Sequence, residues 1–104
     1  MATNYERGRA FEYRVRNWCR ANGAVAVIRA AGSHGPADVV AFWRHDRPWF
    51  IQAKRDGKLP AAERELMLQI LRQIDVKMYL AQPGPNGRGV QFTNIMAIQE
   101  EANV

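Results

Sequence analysis

The sequence predicts an α/β fold in which a mixed β-sheet is flanked by α-helices. Three observations carry this: a long helical repeat near the N-terminus, three short strand-like runs after it, and a second helical repeat that leads directly into another strand. Between Asn4 and Ala21, Phe11, Val15, Trp18 and Cys19 recur at helical spacing while Arg7, Arg9, Arg14, Arg16 and Arg20 fill other positions, which makes an amphipathic helix with a basic exterior. Asn22-Gly23 stops it, glycine being the natural left-handed end. AVAVIR (24–29) reads as the first strand, AAGSHGPA (30–37) as a loop, DVVAFWR (38–44) as the second strand and HDRP (45–48) as a turn. The third strand lies in PWFIQAKRDG (48–57). Past Lys54, a polar loop leads to Pro60, which suits a helix's first turn.

Leu66, Met67, Ile70, Leu71 and Ile74 give that second helix one apolar face, ending at about Gln73 or Ile74. VKMYLAQ (76–82) is a fourth strand. PGPNGRG (83–89) is a loop whose glycines and prolines argue against regular structure. VQFT (90–93) forms a short edge strand, and NIMAIQEE a last helical turn or two. No repeat or linker divides the chain, so residues 1–104 are expected to form a single domain. One cysteine, Cys19, cannot make an internal disulfide and reads as a buried reduced thiol, which points to a cytoplasmic setting. No segment has the apolar length of a membrane span, and the N-terminus lacks the apolar core of a signal peptide.

Fifteen basic residues against ten acidic ones give a net charge of +5, which suits a polyanionic partner such as nucleic acid. Twelve of those cations are arginines, whose planar fork matches phosphate oxygens. Arg7, Arg9, Arg14 and Arg16 share one helix. Arg29, Arg55 and Lys58 flank the central strands, and His34 sits in the glycine-rich loop; all eight are candidate phosphate contacts. Trp43, Trp49 and Tyr79 fall in the strands and read as core.

The residues that can carry chemistry cluster around the third strand. Gln52 and Lys54 are two apart, so their side chains leave one face. A tight hairpin through HDRP would bring the Asp38 end of the second strand beside them. Asp38 either closes a turn or ligates a metal. Gln52 can offer a carbonyl oxygen to a divalent cation, and Lys54, with donors only, can hold a phosphate or an attacking water; otherwise both simply reach solvent. Glu12 sits at the margin of the first helix's inward face and needs a partner, either Arg16 four residues on or a cation shared with Asp38.

RGRAFE in the first helix, VIRAAGSHGPAD across the first loop and FIQAK in the third strand resemble the PD-(D/E)xK nuclease superfamily and, within it, archaeal-type Holliday junction resolvases, also found in some phages. The similarity runs from about Arg7 to Tyr79. It implies a restriction-endonuclease-like fold, Mg²⁺-dependent cutting of DNA phosphodiesters with Mn²⁺ as a substitute, and a homodimer that nicks paired strands of branched double-stranded DNA. It places the helix glutamate at Glu12, the metal-binding aspartate at Asp38, the lysine at Lys54 and a loop serine near the scissile phosphate at Ser33. Gln52 departs from the pattern, which usually has glutamate there. Two carboxylates neutralise one Mg²⁺, so one strongly bound metal is expected. Met67 and Leu71 are the apolar surplus expected to serve the dimer. The other readings are a small phage nuclease of the virus-type replication-repair kind, and a non-catalytic DNA-binding module with a degenerate metal site. A phage-encoded chain would act in the host cytoplasm.

Overall fold

A computed structural model describes residues 2–30 and 37–98. The first helix, α1 (Asn4–Ala21), starts at a capping box. Thr3 Oγ1 accepts from the Glu6 amide at 3.1 Å and the Glu6 carboxylate accepts from the Thr3 amide at 3.0 Å. It stops at Asn22, and Gly23 takes φ 101°, a left-handed conformation. Five strands follow: β1 (Ala26–Arg29), β2 (Val39–Phe42), β3 (Trp49–Ala53), β4 (Lys77–Pro83) and β5 (Val90–Asn94). Helix α2 (Ala61–Leu71) crosses from β3 to β4, and a short α3 (Ile95–Ile98) follows β5.

The strands lie in the order in which they occur along the chain. β1 to β3 are antiparallel, β3 and β4 are parallel, and β5 returns antiparallel to β4 as an edge. A parallel pair cannot be joined by a tight turn, so the β3–β4 pairing requires the crossover that α2 supplies. The sheet is thus mixed and flanked by helices, as the order of patterns predicts.

The sheet separates two cores. On one face α1 lays Phe11, Val15 and Cys19 against Val39, Ala41, Ile51 and Ala81. Full burial of a side chain the size of Phe or Val stabilises the fold by about 1.5–3 kcal/mol. Burial also lifts the Cys19 thiol to about 11, so it is a packing group. Trp18, Trp49, Tyr79 and Phe92 extend this layer as ring contacts, with centroids 4.7 Å apart for Trp18–Phe92 and 4.6 Å for Trp49–Tyr79. On the other face Met67 and Leu68 of α2 pack on Met78, Leu80 and Ile95.

Several boundaries differ from the sequence reading. Pro60 is the residue before α2, not part of its first turn, and α2 ends at Leu71. Trp43 lies one residue past β2. The segment 83–89 is not wholly irregular, since Pro85–Gly87 form a 3₁₀ turn. Met67 is fully buried, so it belongs to the second core and is no surplus for a dimer. The turn between β2 and β3 is fixed by Asp46, which accepts from Trp49 Nε1 at 3.1 Å and Lys77 Nζ at 2.9 Å. These donors, the lysine first, hold its carboxyl down at about 2.

No described helix is long and apolar enough to cross a membrane. The loop after β3 turns back at Gly57, which has φ 72° and where a Cβ would run into Gln82 Oε1. Gly57→Ala is expected to cost about 1–2 kcal/mol through the left-handed backbone and this contact. A urea titration that finds the variant as stable as the parent would contradict the close approach.

Candidate active site

Asp38 is the residue on which this end of the sheet is organised. Its amide donates to Ile51 O at 2.8 Å, its carbonyl accepts from the Ala30 amide at 2.9 Å, and its Oδ2 accepts from the Ala53 amide at 2.9 Å. The apolar register of β2 explains the placement. Val39 and Ala41 face α1, so Asp38, one residue before Val39, leaves the opposite face. Gln52 and Lys54 leave that same face of β3, whose alternate residues Trp49, Ile51 and Ala53 pack toward α1.

Gln52 is 2% exposed and has an interaction partner. Lys54 follows β3 directly, and its amide continues the ladder to Ala81 O at 2.9 Å. Its ammonium does not run out to solvent. Nζ sits 3.1 and 3.3 Å from the two carboxylate oxygens of Glu63, in the first turn of α2. Glu12 reaches the same end of the sheet from α1. Its partner is Arg29 of β1, with Nε to Oε1 at 2.8 Å, and not Arg16. Arg16 instead stacks over Tyr13, 4.2 Å from the ring centroid.

Burial pushes the Asp38 carboxyl above its ordinary value, the Ala53 amide pulls it back, and the charges of Glu12 and Glu63 raise it while Lys54 lowers it. Glu12, Lys54 and Glu63, from three elements, are therefore all within electrostatic reach of Asp38. The charge balance there is two carboxylates around a third with one ammonium, plus Arg29 behind Glu12. Oxygen donors, net negative charge and a part-buried carboxylate suit a hard divalent cation. Among the described residues, however, no three acidic, histidine or cysteine side chains converge as a ready metal cage, because Arg29 and Lys54 hold two of the acids.

The basic residues divide by what they touch. Arg7, Arg14 and Arg55 line a surface cleft of about 320 Å³ over Phe11. Arg55 and Lys54 also line a neighbouring cleft of about 380 Å³ against Asn4 and Gly8 at the start of α1. Arg14 is partly committed, donating to Gly87 O at 2.8 Å and so tying the 83–89 segment to α1. Arg9 lies over Tyr5, Arg29 is held by Glu12, and Lys58 is exposed. Ser33 and His34 lie outside the described residues. Glu63 was missed by the sequence reading. The signal for it was an acid three residues after Pro60, where a helix start and the residue two places past Gln52 meet.

A five-stranded mixed sheet with one long helix across it, and a crossover helix behind its parallel pair, is the fold of the archaeal-type junction-resolving nucleases. The solved structure of Hjc, a Holliday junction resolvase from the archaeal hyperthermophile Archaeoglobus fulgidus, matches with a TM-score of 0.69 and 26% identity, over 86% of this chain and 74% of that one. The resemblance seen in RGRAFE, VIRAAGSHGPAD and FIQAK is thus joined by a likeness of fold over most of the chain. No family model and no curated protein matches the sequence.

Asp38→Asn keeps an acceptor for Ala53 and removes the buried charge. A carboxyl with a raised native pKa contributes full stability below its unfolded value, near 3.8, and loses it as pH climbs through the native value. The variant should therefore melt above the parent at neutral pH in EDTA, with the gain vanishing in acid. Equal melting temperatures across the pH range would remove the electrostatic account of Asp38.

Proposed function

We propose that this protein is a metal-dependent, structure-specific endodeoxyribonuclease that resolves four-way DNA junctions by paired nicking, acting as a homodimer in the cytoplasm. The carrying observation is that Glu12 and Lys54 each come within electrostatic reach of Asp38 at one end of the sheet, on a fold shared with a Holliday junction resolvase. Charge supports the substrate class, since Arg7 and Arg14 of α1 line one of the two clefts and Arg55 lines both.

In this reading, Glu12, Asp38 and the amide oxygen of Gln52 are the groups that would hold Mg²⁺, or Mn²⁺ in its place. Such an ion supplies an acidified water and offsets charge gathering on the phosphate. The protein's own contribution is positional. The backbone hydrogen bonds of Asp38 to Ile51 and Ala30 hold its main chain, the Ala53 amide holds its carboxylate, and the β4 ladder fixes the backbone of Lys54. An ammonium in that position orients a phosphate oxygen or the attacking water. Arg7 and Arg55 hold the flanking backbone phosphates. Arg9, Arg16 and Lys58 extend the basic surface.

Cutting opposed strands calls for two centres related by a two-fold axis. The exposed apolar end of the sheet supports this reading. On the face opposite α1, Ile28 pairs with Val40 and Val40 with Phe50, and Ile28 is 54% exposed. Among the described residues, α2 packs on β4 and α3 on β4 and β5. Ile28→Glu should weaken dimerisation roughly 10- to 100-fold, the worth of one large aliphatic side chain. Light scattering that finds an unchanged dimer would move the interface elsewhere.

The test of activity is incubation with four-way, nicked and linear DNA in Mg²⁺ and in EDTA, beside Lys54→Ala. The expected result is Mg²⁺-dependent paired nicking of the junction, with at least about a 100-fold loss in the variant and retained junction binding. Binding without cleavage of any substrate would instead make the protein a DNA-binding module.

A further inference from the structure

We infer that the loop between β4 and β5 is a second DNA-contacting element, in which Arg88 takes a backbone phosphate and Arg14 of α1 holds the loop in place for it. The inference rests on the nuclease reading and gives a role to a residue which that reading leaves unused. Strand register sets the location. β3 and β4 run parallel with Ala53 beside Ala81, so the chain leaves β4 at Pro83 on the same end of the sheet as Lys54. Asp38 lies at that end too, since Val39 pairs with Ile51, while Arg44 in the turn between β2 and β3 lies at the other.

The loop is bonded to itself. The Gly87 amide donates to Gly84 O at 2.9 Å and the Arg88 amide to Pro85 O at 3.3 Å, and a Cβ on Gly84 would run into Arg88 O. Asn86, Gly87 and Gly89 take φ of 60°, 74° and 67°, left-handed conformations that asparagine and glycine adopt most readily. Arg14 Nη1 then donates to the carbonyls on either side of Arg88, to Gly87 O at 2.8 Å and Gly89 O at 3.3 Å. A guanidinium has five donors, so Arg14 can make both bonds and keep others for an anion. Arg88 itself is exposed and, among the described residues, has no ion-pair partner. Beside it, the cleft over Phe11 takes Pro83 and Gly87 from the loop and Arg7, Arg14 and Arg55 as its charged lining, with no acid among the described residues that line it. A concave surface carrying one sign of charge focuses its field on a partner of the other sign, here the phosphates of a DNA arm passing the site.

The experiment is fluorescence anisotropy of a labelled four-way junction with the full-length protein in EDTA, repeated over a range of salt concentrations. Thermal melts establish that each variant folds. Arg88→Ala should bind about three- to tenfold more weakly near 0.1 M salt and lower the salt slope by about one, the signature of one lost phosphate contact. Arg44→Ala, at the far end of the sheet, should match the parent. Arg14→Ala should lose at least as much as Arg88→Ala, and the double variant should fall no further than Arg14→Ala alone, because a loop released from α1 no longer presents Arg88. Parent-like affinity and slope in Arg88→Ala, or an equal loss in Arg44→Ala, overturns the phosphate contact. Losses that simply add in the double variant overturn the tether. Either result leaves the nuclease reading standing if the parent still nicks the junction in Mg²⁺, whereas a parent that binds no junction overturns both.

Discussion

Everything at the functional end of this sheet depends on the way Asp38 is bonded. Its amide and carbonyl tie β3 and the residue after β1 together, and its side chain takes the Ala53 amide. The same carboxylate is thus a structural closure and a part-buried charge, its pKa raised chiefly by that burial. A fold that leaves a carboxylate part-buried beside two other acids accepts a cost in stability that a cation would offset.

The two faces of β3 divide the work. Trp49, Ile51 and Ala53 belong to the core under α1, while Gln52 and Lys54 belong to the face that α2 reaches. Because side chains alternate, the strand can be a central structural element and present chemistry without either use disturbing the other. The parallel pairing to β4 adds a constraint, since it demands a crossover, and the crossover delivers Glu63 to Lys54.

Most of the fold was legible in the sequence because local signals agreed. Phe11, Val15 and Cys19 at helical spacing, Asn22-Gly23 as a stop, and the alternation in VVAF and WFIQA each specify an element without reference to anything distant. What the sequence could not show was which charges meet. Glu12 had Arg16 as a candidate partner by spacing, yet Arg29 takes it, since β1 passes beneath α1 and the nearer helical neighbour stacks on Tyr13 instead. Glu63 is nine residues from Lys54 and is brought back by a loop whose geometry hangs on Gly57. Met67 looked surplus because one core was assumed, whereas the sheet has a core on each face.

Helix α1 combines three jobs on one rod: core anchors, a carboxylate at the sheet's end and an arginine-covered exterior. Each added residue turns a helix by about 100°, so these jobs are phased to each other as rigidly as teeth on a shaft. Point substitutions on the outer arginines leave that phase intact. An insertion or deletion between Phe11 and Cys19 would swing the carboxylate and the arginines away together, so lineages of this chain can change the helix in residue identity far more freely than in length.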